Sequence, residues 1–190
     1  MSYPTSPDYT AIGFKGVSNT VKSETRSGKI QVRTVGAQRW EFTASYKDIT
    51  RAQFMPVAAF VMSQDGSTGT FTITPPVISS ARGNVSGTVS VNGAHTAGDS
   101  TIAVDGFTGT IAAGDLIKFS GHSKVYMVVS DRAGAGTLTV TPAITENLAD
   151  NEAVTYDNVP FNVRLKNDVQ EYKANGYDKY SFEVDFIEVI

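Results

Sequence analysis

The amino-acid sequence predicts a mainly β fold with one flanking helix, interrupted by an inserted small β-barrel. Three observations carry this reading. Apolar and polar residues alternate with a period of two in many short runs, as they do when successive side chains point to opposite faces of a strand. Only one stretch, Thr50 to Ser63, has helical character. The composition changes after Pro75-Pro76 and changes back at Pro160. A chain of 190 residues, 41% of them hydrophobic, is long enough for one large or two small domains with a real core. Charged residues make up 18%, sparser than the usual quarter or so, while Gly, Thr, Ser and Val are plentiful.

Residues 1–28 are rich in Ser, Thr, Gly and Pro with scattered Tyr3, Tyr9 and Phe14. They read either as an extended arm with one strand near Ala11 to Val17, or as an ordinary first strand with a loose terminus. Lys29 to Val35 alternates, with Ile30, Val32 and Thr34 on one face. A turn at Gly36-Ala37 leads to a second strand, Gln38 to Tyr46. There Trp40, Phe42, Ala44 and Tyr46 oppose Arg39, Glu41, Thr43 and Ser45. Asp48 or Thr50 can cap the following helix by accepting a bond from an orphan N–H. Pro56 removes one backbone bond inside it, which predicts a kink or a later start. Ala52, Met55 and Ala59 lie along one side of the helix and Phe54, Val57, Ala58 and Val61 cover the other. A helix apolar nearly all round calls for burial on both sides. A sheet covers one; the second cover is the rest of the protomer, including the inserted piece, or a neighbouring subunit. Asp65 to Gly69 is a helix-to-strand connection, without the Lys-Ser/Thr and the following helix of a phosphate loop. Thr70 to Thr74 is the strand return.

From Ala81 to Asp157 six short runs alternate with Gly turns: Val85–Val91, Thr101–Val104, Leu116–Phe119, Lys124–Ser130, Thr137–Thr141 and Ala153–Tyr156. Six strands without a helix predict a small closed or nearly closed barrel, which removes exposed edges. Ala-Gly-Asp occurs twice, at Ala97–Asp99 and Ala113–Asp115, and reads as two strand-starting turns. At Pro160 the earlier character returns. Phe161 to Leu165 alternates, Lys166 to Tyr177 is a polar loop, and Tyr180 to Ile190 is a last strand with Phe182, Val184 and Phe186 inward. Near its end Ile187, Val189 and Ile190 are apolar and Glu188 is polar, a phase shift expected from a bulge or from burial of both faces. Residues 1–80 and 158–190 therefore read as one discontinuous domain, with 81–157 inserted in a loop. Such insertions are tolerable because closure entropy grows only logarithmically with length.

The chain carries a net charge of −3. Residues 81–157 hold Arg82, Lys118, Lys124 and Arg132 against Asp99, Asp105, Asp115, Asp131, Glu146, Asp150, Glu152 and Asp157, a net of −4 that leaves about +1 elsewhere. A protein that grips nucleic acid by charge alone is not indicated. There is no cysteine, so disulfides and thiolate chemistry are excluded. The first residues show no signal-peptide pattern, and the longest apolar run, Met55 to Met62, is too short to span a bilayer. Synthesis in a cytoplasm and no membrane partner are the expectation.

The residues offer no chemistry to build on. His95 and His122 each sit in a Gly-rich turn, without a second His or an acid at ligand spacing, and read as exposed loop histidines. No Gly-x-Ser-x-Gly elbow occurs. Glu183 and Asp185 share a face and are formally an acid pair, but a solvated strand explains them. Asp99, Asp105 and Asp115 flank Gly turns instead of forming a calcium loop. No catalytic, cofactor-binding or metal residue is assigned, no cofactor is expected, and the chain is not read as an enzyme.

With the strand–strand–helix–strand unit laid out, a family pattern is visible. Ser27 to Arg33, Gly36 to Phe42, Ile49 to Arg51, the Ala-Phe-rich helix and Gly69 to Phe71 resemble the N-terminal region of bacteriophage distal-tail and baseplate proteins. Gly114 to Phe119, Lys124 to Tyr126 and Thr137 to Ile144 resemble a barrel module of phage tail and coat proteins. The resemblance implies a tail-tube-like β-sandwich or rolled sheet with a flanking helix. It implies homo-oligomeric rings, commonly hexameric, that join the tail tube to the baseplate or tail tip within the virion. Other tail and baseplate proteins are the implied partners, and phage DNA passes the lumen without sequence-specific binding. The bottom-up reading adds candidate subunit-interface residues: Phe54, Val57 and Val61 on the helix, and Ile187 and Val189 on the last strand. The alternative is a binding module whose barrel recognises a host glycan or anchors a tail fibre, with Phe107, His122 and Tyr126 as an aromatic contact surface.

Overall fold

A computed structural model describes every residue except Ala37 and Asn175, so part of the expected Gly36-Ala37 turn lies outside the described residues. In chain order the strands are β1 (Ala11–Val17), β2 (Thr20–Glu24), β3 (Ile30–Thr34) and β4 (Arg39–Thr50), followed by α1 (Arg51–Ser63) and a 3₁₀ turn, Gly66–Thr68. Then come β5 (Phe71–Ile73), β6 (Ser86–Val91), β7 (Thr101–Thr108), β8 (Thr110–Ile111), β9 (Leu116–Phe119) and β10 (Val125–Val128). The rest are β11 (Arg132–Ala133), β12 (Gly136–Thr141), β13 (Ala153–Thr155), β14 (Phe161–Leu165), β15 (Tyr172–Ala174) and β16 (Lys179–Glu188). Strand accounts for 47% of the chain, and α1 is the single α-helix among the described residues. The fold is mainly β with a closed six-stranded barrel.

Two compact units result: Pro4–Gly69 with Arg164–Glu188, and Met1–Tyr3 with Thr70–Val163 and Val189–Ile190. In the first, β4 is the spine. It pairs antiparallel with β1 on one side and β16 on the other, and β15 adds to β16. The register stacks like on like: Phe14 opposite Phe42, Phe42 opposite Phe186, Ala44 opposite Val184, Tyr46 opposite Phe182. Cross-strand aromatic and aliphatic pairs of this kind are what stabilise a sheet face. Phe14 stacks on Trp40 at 4.7 Å between ring centroids, and Tyr46 on Phe182 at 4.7 Å.

Helix α1 covers this face. Gln53 turns back over its start, its side-chain oxygen accepting from the Thr50 N–H at 3.0 Å. The helix begins at Arg51 and runs on through Pro56, so proline does not delay its start. The Phe54 ring lies flat on Tyr180 at 4.3 Å and edge-on to Tyr172 and Phe182. A register shift between Tyr180 and Phe182 brings both rings to Phe54. The bulge thus falls at the start of β16, not at its end as the phase of Ile187 to Ile190 suggested. The end of β16 stays in phase because Glu188 takes an inward position, 1% exposed, where it accepts the Trp40 N–H at 3.1 Å.

β3 does not pair with β4. It pairs with β2, a strand that the polar run Thr20–Glu24 conceals, in a hairpin exposed on both faces. Gly28 supplies the positive φ that its turn needs.

In the second unit the barrel closes in the order β10-β12-β7-β6-β13-β9, with β9 returning to β10. Its strands are the six expected runs, trimmed or extended by a few residues. Inside are Val89, Val91, Ile102, Val104, Ile117, Phe119, Tyr126, Leu138 and Val140, each at most 2% exposed. The ribbon of β8 and β11 lies outside the closed ring of strands. β5 pairs with β14, and the N-terminal residues run beside β5, Tyr3 donating its N–H to the Thr72 carbonyl at 2.8 Å.

Candidate functional surface

The barrel segment begins and ends at one place. Val159 donates its N–H to the Ser79 carbonyl at 3.0 Å, and the Asp157 carboxylate accepts the Ala81 N–H at 3.0 Å. A few residues in, Asp115 receives three backbone N–H groups: Arg82 at 2.8 Å, Ala112 at 2.8 Å and Gly83 at 3.3 Å. It is 3% exposed, and it fastens the incoming strand to the turn before β9.

The other barrel carboxylates do similar work. Asp131 accepts from Ala113, Asp150 from Gly93, Asp99 from Thr96, and Glu152 from both Gly121 and Ala149. Charged acceptors on backbone donors are the stronger class of hydrogen bond. The acidity of the barrel is therefore explained by turn closure. Among the described residues no group of three or more His, Cys, Asp or Glu is placed to hold a metal ion.

Both histidines depart from the exposed-loop expectation. His122 is 4% exposed, and its Nδ1 lies 2.8 Å from the Tyr126 hydroxyl, which in turn meets Thr145 Oγ1 at 3.1 Å and accepts the Thr145 N–H at 3.2 Å. His95 is half-buried, and its Nε2 accepts the Ala103 N–H at 3.1 Å. Glycine-rich flanks signal a turn, but the turn lies at the barrel rim and the imidazole folds inward, where polar partners meet it. Phe107, His122 and Tyr126 are 7%, 4% and 0% exposed, so the aromatic contact surface expected of them does not exist. They are barrel interior.

On the polar face of the first unit, Thr43 donates to Asp185 at 2.6 Å and Ser45 to Glu183 at 3.1 Å, while Lys166 pairs with Glu41 at 2.8 Å. Glu183 and Asp185 line an open groove of about 590 Å³ with Thr10, Asn167 and Val169. Both hydroxyl–carboxylate contacts join residues directly opposite in the β4–β16 register, so the two acids serve cross-strand pairing.

The candidate interface residues fall in two sets. Phe54, Val57 and Val61 are 6%, 0% and 1% exposed and belong to the protomer's own core. At 100° per residue the opposite side of α1 holds Ala52, Met55, Ala59 and Met62, all exposed, with Met55 at 43% and Met62 at 68%. Ile187 and Val189 are half-buried. Among the described residues no helix is long and apolar enough to cross a membrane.

The barrel spends its polar side chains on its own turns, and in the sheet unit α1 carries an exposed apolar row. Residues 78–159 match the family model of the distal tail protein pb9, B domain. The chain is thus similar to a bacteriophage distal tail protein with its barrel module, which supports a structural role at the distal tail. No curated protein matches it.

Proposed function

We propose that this chain is a structural component of a bacteriophage tail. It sits at the distal tail or the baseplate–tube junction and assembles as a ring, of six copies, that connects the tail tube to the baseplate or tail tip. The observation that carries the reading is the match of residues 78–159 to the distal tail protein B domain. Residues 1–80 and 158–190 then form the tube-like domain into which that module is inserted. DNA passes the lumen without sequence-specific contact, and the chain acts by assembly, not catalysis.

The helix supports this. One side of α1 is spent on its own sheet, and a row of apolar side chains remains on the other. A ring closes through complementary, non-identical patches on each subunit. A neighbour meets Ala52, Met55, Ala59 and Met62 first, with Phe54, Val57 and Val61 as the packing behind them. Ile187 and Val189 supply a second patch. Antibody labelling of purified particles tests the reading: signal at the distal end of the tail supports it, and particles without the chain overturn it.

A further inference from the structure

Asn92 directly follows β6 at the barrel rim and is exposed. The backbone around it is held from both flanks. The Asn92 N–H donates to the Ala103 carbonyl at 2.9 Å, the Val91 N–H donates to the Glu152 carbonyl, and the Val91 carbonyl accepts the Asn151 N–H. Gly93 comes next, with a φ of 82° and open space where a Cβ would stand. Its N–H donates to Asp150 Oδ1 at 2.7 Å, while Asp150 Oδ2 accepts from Asn151 Nδ2 at 2.9 Å and so fixes the carboxylate.

This clasp differs from the others of the barrel. The donors held by Asp99, Asp131 and Glu152 follow His95, Ala112, Ser120 and Leu148, whereas the donor held by Asp150 follows an asparagine. An asparagine side chain reaches the nitrogen of the next residue through a five-membered ring, and glycine there brings no side chain to obstruct closure. The lone pair of an amide nitrogen lies perpendicular to the peptide plane, and its N–H lies in that plane. A carboxylate on the N–H is therefore clear of the path of attack. It stands within the roughly 2.6–3.2 Å reach that a general base requires.

We propose that Asn92-Gly93 is a site of self-modification at the barrel rim, with Asp150 as its base. The Gly93 nitrogen attacks Asn92 Cγ, and its proton passes to Asp150 as the new N–C bond forms. The Cγ–Nδ2 bond breaks, Nδ2 takes the proton back, and ammonia leaves. The resulting cyclic imide has no hydrogen on the Gly93 nitrogen, so the contact with Asp150 is lost. Water then opens the ring. Addition at Cγ gives aspartate, and addition at the main-chain carbonyl gives isoaspartate, with the chain running through the side chain. Either product places a new carboxylate next to the glycine that Asp150 held. The proposal is independent of the tail reading.

The test uses the full chain, aged at about 37 °C and mapped by tandem mass spectrometry, with enzymatic methylation to count isoaspartate. The same dipeptide recurs in the sequence at Asn175-Gly176, an internal reference for conversion without Asp150. Wild type is expected to turn residue 92 into a mixture of aspartate and isoaspartate with release of ammonia. Asp150→Asn keeps an oxygen for the Gly93 N–H but is a far weaker base. It is expected to slow conversion at residue 92 by at least about tenfold and to leave residue 175 at its wild-type rate. Circular dichroism confirms that this variant is folded. A second measurement needs no variant: with its own base, residue 92 gains less rate between about pH 6.5 and 8.5 than residue 175, which depends on hydroxide. Residue 92 left unconverted in aged wild type overturns the proposal. So does a folded Asp150→Asn chain that converts residue 92 at the wild-type rate, and so does an equal pH dependence at the two sites.

Discussion

Replacing Asp115 with alanine removes the acceptor shared by the Arg82, Gly83 and Ala112 N–H groups. Ala112 is 8% exposed, so its N–H has little access to water. A buried donor left unpaired costs about 1–3 kcal/mol, and the two part-buried donors recover some of their loss from solvent. The expected destabilisation of the barrel is about 3 kcal/mol, or a fall of roughly 12–24 °C in Tm for a domain of this size. Asp115→Asn should be nearly as costly, because an amide NH₂ would face the Ala112 and Gly83 donors. Asp131→Ala is the control: its carboxylate is exposed and takes a single N–H, that of Ala113, so about 1 kcal/mol or less is at stake. The lone tryptophan, Trp40, belongs to the other unit and does not report on the barrel. Calorimetry of the full chain and amide exchange at residues 82, 83 and 112 are the suitable assays. A change below about 0.5 kcal/mol, with exchange at those three amides unaltered, would refute the clasp.

Three further outcomes are expected. Val77 has a φ of 67°, is 86% exposed, and sits at the centre of a γ-turn closed by the Ile78 N–H on the Pro76 carbonyl at 2.7 Å. This conformation is strained for a β-branched residue. Val77→Gly should stabilise the chain by about 0.5–1 kcal/mol after the entropy glycine adds to the unfolded state, and denaturant titration checks the sign. Burial, and then the neighbouring Tyr46, hold the Tyr9 hydroxyl well above the usual tyrosine range. A raised folded-state value contributes stability that is complete below about pH 10 and is lost as pH climbs above it. Tyr9→Phe should therefore flatten the alkaline limb of the stability profile, and an unchanged limb would count against the assignment. Met55→Glu with Met62→Glu lies on the exposed side of α1 and should leave protomer stability within about 0.5 kcal/mol of wild type while blocking incorporation into tails. Val61→Asp, in the core, should instead unfold the first unit; the contrast is read by thermal melts alongside particle incorporation.

Local pattern revealed most of the architecture. The six barrel strands are short, alternate cleanly and are bounded by Gly and Asp turns, so their number and their positions along the chain were legible, but not their order around the barrel. So was the inward row of β4, Trp40 to Tyr46. Pairing was less so, because it is non-local: Ile30 to Thr34 alternates whether its partner is β2 or β4. β2 itself, Thr-Val-Lys-Ser-Glu, has a single apolar residue and no visible face. Glu188 looked like a break in phase because a carboxylate was not expected inside. Only the fold shows that the Trp40 N–H lies across the sheet to receive it. The surface followed the same rule. Helical spacing separated the two sides of α1, but which side met the sheet depended on Tyr180 and Phe182, more than a hundred residues away. The histidines were misplaced for a related reason: Gly121 and Ser123 mark a turn but not the direction of the side chain between them.

The most direct test of the central claim is a cryo-EM map of the intact particle that carries this chain. The account predicts density for its sheet unit and barrel in a closed ring at the distal end of the tail, in contact with the tube. A particle whose distal tail is fully built from other chains, with no density for this one, would contradict it.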